Sequence, residues 1–325
     1  MLSFEQVLKR LEPEFNKISF DQSPRCLFEP IEYILALGGK RIRPCLTLMA
    51  CSIYKEDVEE AIKPAMGLEV FHNFTLLHDD LMDQADKRRN QPTVHKKWNT
   101  NTAILSGDAM LIAAYRFMGE TAEPYLKNVL DLFSKTALDI CCGQQYDMDF
   151  EKRDNVSEDE YIEMIRLKTA ILIACCIKTG AIIGGASEKD AEHLYRFGIY
   201  IGLAFQLQDD LLDVYGDTKT FGKNIGGDIL CDKKTFLLIN AMILANDEQK
   251  AQLAYFRNPA NNYKPEEKIS IYTNIYDQLH IKDITKQKMN SLYELAIHEL
   301  TDLNVAPDSL TELKKMGNML IQRES

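Results

Sequence analysis

The chain has 325 residues, 46% of them hydrophobic, and a net charge of −11. With a pI near 5.2 it lacks the basic surface that nucleic acid requires, so nucleic acid is excluded as a partner. Eight cysteines without a CxxC pair or zinc spacing suit free thiols in a reducing cytoplasm, no signal-peptide pattern precedes the first amphipathic residues, and no apolar run reaches the ~20 residues needed to span a bilayer. No Pro-rich or Ser/Gly-rich linker divides the chain, which predicts one domain over 1–325.

Leu2, Phe4, Val7, Leu8, Leu11 and Phe15 recur with a helical period, giving a first helix for packing or subunit contact. Phe28 to Leu37 reads as a second helix, stopped by Gly38-Gly39. The stretch Gly38-Gly39-Lys40-Arg41-Ile42-Arg43-Pro44 then crowds three bases beside glycines that let the backbone turn sharply. A basic surface turn has the same composition. A long helix follows, carrying Met66, Leu68, Val70 and Phe71, with His72 two turns before Asp79 and nearly in line with it. A histidine on such a helix is more often a core residue.

The same helix ends in Leu76-Leu77-His78-Asp79-Asp80-Leu81-Met82-Asp83. Positions i, i+1 and i+4 lie within about 100° of one another on a helix, so Asp79, Asp80 and Asp83 share a face. Most acidic clusters are solvated surface. Here Phe71, Phe74, Leu76, Leu77, Leu81 and Met82 predict burial on most sides, and buried or cleft-lining carboxylates need a partner or a cation. Oxygen-only donors suit Mg²⁺, which binds through a few carboxylates plus substrate phosphates. Arg88 and Arg89 follow, where they would meet phosphate oxygens.

Thr102 to Met118 reads as the next helix, with Gly107 allowing close helix approach. Pro124 opens another, running to Gly143-Gln144-Gln145-Tyr146-Asp147. Ser157 and Glu160 fit a capping box before a helix over 161–180, in which Lys168-Thr169 interrupts an apolar stretch. A lysine that simply snorkels to water gives the same pattern. Ser187 caps a further helix, and on it Asp209-Asp210-Leu211-Leu212-Asp213 repeats the first triplet 130 residues on, with Gln206 one turn before Asp210. Two copies in apolar helices are hard to explain as surface decoration. Facing each other across a cleft, they would hold several Mg²⁺ ions and hence a diphosphate. A glycine-rich loop with Lys223 comes next, weak evidence of phosphate binding by itself, then Asp232-Lys233-Lys234-Thr235. From Lys250 on the chain is polar and helical, with Ser309 and Glu312 as another capping box and no visible chemistry.

As a set, these motifs resemble those of the trans-isoprenyl diphosphate synthases, the polyprenyl synthetase family, from about Gly38 to Thr235. The resemblance implies an all-α fold: a single large helical bundle of the isoprenoid synthase type with a central apolar cavity, usually a homodimer. It implies three Mg²⁺ ions held by Asp79, Asp80, Asp83, Asp209, Asp210 and Asp213 once substrate is bound. It places Lys40, Arg43, His72 and Arg89 on the diphosphate of isopentenyl diphosphate, and Arg88, Lys168 and Thr169 on that of the allylic substrate. Gln206, Lys223 and Lys233 complete the substrate-binding set, Gln144 fits the pattern Gly-Gln-x-x-Asp, and Arg41 is left as a surface residue. Asn90 and Asp232 each stand where the family pattern has glycine. Asn tolerates a left-handed backbone almost as glycine does; Asp232 leaves the turn there open.

The implied reaction is head-to-tail prenyl transfer. The allylic C–O bond ionises, the double bond of isopentenyl diphosphate attacks the cation, and a proton is lost to the released diphosphate. Asp79, Asp80, Asp83, Asp209, Asp210 and Lys168 carry the ionisation. Phe74 and Thr75, just before the first triplet, resemble the pocket floor of synthases that make the C20 geranylgeranyl product, with C15 farnesyl or a longer polyprenyl chain as alternatives. A terpene cyclase would not need the Gly38–Arg43 bases, and a non-catalytic subunit of a heteromeric synthase would usually lose aspartates.

Overall fold

The computed structural model describes residues 1–216, 225–258 and 260–322. Lys223 lies outside the described residues. In chain order the helices are α1 (Phe4–Asn16), α2 (Arg25–Ala36), α3 (Ile42–Tyr54) and α4 (Glu59–Met82). A two-residue hairpin, β1 (Lys87–Arg88) and β2 (Gln91–Pro92), leads to α5 (Val94–Lys97), α6 (Thr100–Met118) and α7 (Glu123–Glu151). Then come α8 (Glu158–Ile165), a π turn over Arg166–Ala170, α9 (Ile171–Gly184), α10 (Glu188–Tyr215) and α11 (Gly227–Leu230). The last are α12 (Phe236–Leu244), α13 (Asp247–Arg257), α14 (Pro265–Gln278), α15 (Ile281–Thr301) and α16 (Thr311–Gln322). The all-α expectation holds.

The chain divides into two compact units. The first comprises Met1–Lys135, Ile173–Tyr195 and Leu300–Met316; the second comprises Thr136–Leu172, Arg196–Glu299 and the chain from Gly317.

In the first unit α4 is the central element. Residues on every side of it are buried, from Ala61 and Ile62 to Leu77 and Asp80, the pattern of a helix enclosed by others. Full burial of Phe71 alone is worth about 2–3 kcal/mol. The crossing with α6 is close because of two glycines. A Cβ at Gly67 would lie 3.0 Å from Phe117 Cβ, and one at Gly107 only 2.1 Å from Nε2 of His78. Gly107 thus admits the His78 ring, not a backbone. Helix α9 packs on α3 in the same way: a Cβ at Gly180 would meet the Thr47 carbonyl at 1.9 Å. Helix α1 buries Val7 and Leu11 within the unit.

In the second unit a core forms around Phe236, Leu237, Leu253, Phe256, Tyr272 and Tyr276. The polar chain from Lys250 to Glu299 therefore packs this unit, as its lack of chemical motifs suggests. Ser157 and Glu160 form the expected capping box, and Ser187 Oγ accepts from the Asp190 N–H at the start of α10.

Two expectations are corrected. Ser309 does not cap a helix, because Pro307–Leu310 forms a 3-10 turn that contains it. The continuous stretch Glu158–Gly184 does have the length and mean hydropathy (1.7) of a membrane span, but 78% of its apolar window is buried inside the protein. It is a core helix.

Candidate active site

At the end of α4 the three aspartates of the first triplet part company. Asp80 is 3% exposed, and Arg88 clasps it: Nε lies 2.9 and 2.8 Å from Oδ1 and Oδ2, and Nη2 lies 2.7 Å from Oδ1. Burial still pushes the Asp80 carboxyl above its ordinary pKa, against the pull of Arg88. Asp79 is half-buried and Asp83 exposed, and the Asp83 N–H donates to the Asp79 carbonyl at 2.8 Å, closing the last helical turn. The turn that follows α4, with Gln84 at φ 52° and the Ala85 N–H donating to the Asp80 carbonyl at 2.9 Å, brings Arg88 back to the helix. The two turn residues of the hairpin beyond it, Arg89 and Asn90, have φ of 50° and 62°, the left-handed pair that a two-residue hairpin favours. Asn90 therefore does replace glycine without difficulty.

Beside this lies a second set of bases. Gly38 (φ 76°), Gly39 (φ 147°) and Arg41 (φ 49°) turn the chain into α3, and a Cβ at Gly39 would lie 2.8 Å from Nη2 of Arg89. Arg43 Nη1 is 3.1 Å from His72 Nε2. Burial first, then Arg43, Arg88, Arg89 and Arg41, hold the His72 pKa well below its usual value. The neutral ring can then accept from Arg43. Burial and the neighbouring arginines also lower the pKa of Arg89. Four guanidiniums around one imidazole favour an anion, and planar, forked donors suit phosphate.

Arg41 is not a surface residue. Its side chain is 15% exposed and its Nη1 lies 2.8 Å from Oε1 of Glu69, whose side chain is 4% exposed. Sequence reasoning missed this pair because the two residues lie 28 positions apart, and nothing local marks Glu69.

In the second unit the middle aspartate is again buried, and Asp213 is buried with it at 8% exposure. Asp210 is 3% exposed, accepts from the Tyr161 hydroxyl, and accepts from Gln206 Nε2 at 3.1 Å. Gln206 in turn accepts from Thr169 Oγ1 at 3.0 Å. Lys168 Nζ lies 2.6 Å from Oδ2 of Asp147. Lys168 and Thr169 sit in the π turn, a widened turn often found at functional sites, and Gly143 is needed because a Cβ there would strike the Lys168 N at 2.4 Å. Gln144 Nε2 is buried without a hydrogen-bond partner, as a donor awaiting a ligand would be. Asp213 Oδ2 accepts from the Asp228 N–H at 3.0 Å. Asp209 is half-buried.

Burial, followed by repulsion from Asp228, raises the Asp210 pKa well above its ordinary value, and only in part do the Tyr161 and Gln206 hydrogen bonds oppose this. A raised carboxyl pKa means stability that is complete below the unfolded value, near 3.8, and lost as pH rises through the folded value. In Mg²⁺-free buffer Asp210→Asn should therefore flatten the decline of unfolding midpoint with rising pH. An unchanged slope in a pH series of thermal melts would contradict the assignment.

The donors in both triplets are carboxylate oxygens, the chemistry that suits Mg²⁺. Among the described residues no three His, Cys, Asp or Glu side chains converge into a ready-made metal cage. The residues present suit the metal.

An all-helical chain with two such triplets, each with its middle carboxylate anchored and bases nearby, is of the isoprenoid synthase class. Residues 24–275 match the Polyprenyl synthetase family. The chain is 35% identical to a geranylgeranyl pyrophosphate synthase of Geoglobus acetivorans over 97% of both chains. It is 40% identical to a geranylgeranyl diphosphate synthase of Methanosarcina mazei over 67% of this chain and 68% of that one. Among solved structures, a geranylgeranyl pyrophosphate synthase superposes with a TM-score of 0.94 at 42% identity over the full length of both chains. The chain belongs to the polyprenyl synthetase family.

Proposed function

We propose that the chain is a Mg²⁺-dependent prenyltransferase acting as one domain over 1–325, which condenses isopentenyl diphosphate with an allylic diphosphate to give geranylgeranyl diphosphate. The repeated aspartate triplet carries this reading: in each copy the middle carboxylate is held by the protein, which sets the other two at fixed positions on the helix.

In this reading Lys40, Arg43, His72 and Arg89 hold the diphosphate of isopentenyl diphosphate. His72 stays neutral and orients Arg43. Lys168, Thr169, Gln206, Lys233 and Lys223 serve the allylic diphosphate with Arg88, and Lys168 offers its cation to the leaving group while Asp147 steadies it. Asp79, Asp83, Asp209 and Asp213 are the outer metal-holding carboxylates, with Asp80 and Asp210 behind them. Bound Mg²⁺ supplies Lewis-acid stabilisation of charge on the departing diphosphate. The reading places the protein in a reducing cytoplasm, on a cysteine pattern without a CxxC pair or zinc spacing. The reading includes a homodimer, supported by exposed Leu105 and Ile112 on α6; a monomer in sedimentation equilibrium would remove that part of it.

Product length is assigned to Phe74 and Thr75. Phe74 stands in an aromatic row, with ring centroids 4.8 Å from His78 and 5.5 Å from Phe71, which in turn lies 5.1 Å from Phe133. Phe74→Ala should lengthen the product by at least one five-carbon unit on reversed-phase chromatography, with Phe71 and Phe133 as the next stop. An unchanged product would place the floor elsewhere. Relatives of this chain include a geranylfarnesyl diphosphate synthase of Natronomonas pharaonis, 37% identical over 68% of this chain and 70% of that one.

A further inference from the structure

Asp232 stands where the family pattern has glycine, and its φ is 55°. That is a left-handed conformation, which non-glycine side chains enter at a cost and Asp enters more readily than most. Its carboxylate has an uncommon partner: Oδ1 lies 2.8 Å from Nζ of Lys268. Lys268, in the first turn of α14, is 1% exposed and lies 5.9 and 5.7 Å from the ring centres of Tyr263 and Tyr272. A lysine so deeply buried keeps its charge only with a partner, and Asp232 is the acid that pairs with it.

On the other side of the turn the backbone is tied down as well. The Asp232 N–H donates to the Ile229 carbonyl at 3.2 Å, and the Lys233 N–H donates to the Asp228 carbonyl at 3.0 Å. Lys234 Nζ reaches the Asp232 carbonyl at 3.1 Å, and Thr235 Oγ1 caps α12 through the Leu238 N–H. Lys233 is thus presented from a segment fixed at both ends. The ion pair fixes the one residue whose backbone conformation is disfavoured.

We propose that Lys268 is a positioning residue: through Asp232 it secures the left-handed turn that aims Lys233 at the diphosphate. The inference rests on Lys233 binding that group. In this chain an ion pair does what the conformational freedom of glycine would do unaided.

The test compares two double variants of the full chain, neither of which leaves a buried charge. In Asp232→Gly/Lys268→Met the turn needs no support. In Asp232→Ala/Lys268→Met the methyl group opposes a positive φ and nothing holds it there. Steady-state KM is measured for the allylic diphosphate and, as a control, for isopentenyl diphosphate, alongside thermal melts and a Lys233→Ala reference. The glycine variant should keep the allylic KM within about twofold of the parent, and the alanine variant should raise it by about tenfold, as a small misplacement of a binding group does. The isopentenyl diphosphate KM should move in neither. Equal allylic KM values in the two double variants would overturn the positioning role, provided Lys233→Ala raises that KM. If Lys233→Ala leaves it unchanged, the underlying reading of Lys233 fails instead.

Discussion

Asp79→Asn and Asp209→Asn should each lower kcat/KM for prenyl transfer by about 10³-fold or more while the variants stay folded. Metal stabilisation of a departing diphosphate is worth several kcal/mol, and each 1.4 kcal/mol is about a factor of ten in rate. Both residues are only partly buried and Asn has nearly the shape of Asp, so the amide fits where the carboxylate was. The middle aspartates should behave differently. Asp80→Asn takes the charged acceptor away from Arg88 and should change both folding and activity, so a loss there is harder to interpret. The comparison is read from kinetics and melting curves on the same preparations. A variant at Asp79 or Asp209 that retains a tenth of the parent kcat/KM would remove that residue from the metal-binding set.

Arg41→Ala should cost about 3–5 kcal/mol of stability, because it strands the buried Glu69 carboxylate. For a chain of this size that corresponds to a fall of about 4–7 °C in unfolding midpoint. The guanidinium also donates from Nη2 to the Leu35 carbonyl at 3.0 Å and lies 4.7 Å from the Phe15 ring centre. It therefore ties the turn that carries Lys40 and Arg43 to α1, α2 and α4 at once. The KM for isopentenyl diphosphate should rise in the same variant. Adding Glu69→Gln should recover much of the stability, since a neutral amide needs no counter-charge, yet leave the KM high. Thermal melts and substrate titrations on the single and double variants check both halves. An unchanged midpoint in Arg41→Ala would contradict the buried pair.

Which parts could be read from the sequence follows from where the determinants lie. The aspartate triplets, the bases of Gly38–Arg43 and the caps at Ser157 and Ser187 are local patterns, fixed by spacing along one helix or turn. The Asp80–Arg88 clasp is nearly local, but only a chain reversal through Gln84, at φ 52°, brings Arg88 back to α4. Arg41 looked like surface because Glu69, its partner, lies 28 positions away within an apolar stretch of α4. Lys268 lay in a stretch without motifs, and its partner Asp232 seemed only a departure from a pattern. The π turn at Lys168-Thr169 also left no periodic signal, since one widened turn barely disturbs the apolar spacing. Side chains that meet across the fold are set by packing, and packing is what a local window lacks.

The most direct measurement incubates the purified full chain with labelled isopentenyl diphosphate and each allylic diphosphate from C5 to C20, with Mg²⁺ or with EDTA. The account predicts Mg²⁺-dependent elongation that stops at C20, with no product in EDTA. Failure to elongate any starter with Mg²⁺ present would contradict the synthase reading, and a cyclic hydrocarbon in place of a longer diphosphate would replace it with a terpene cyclase.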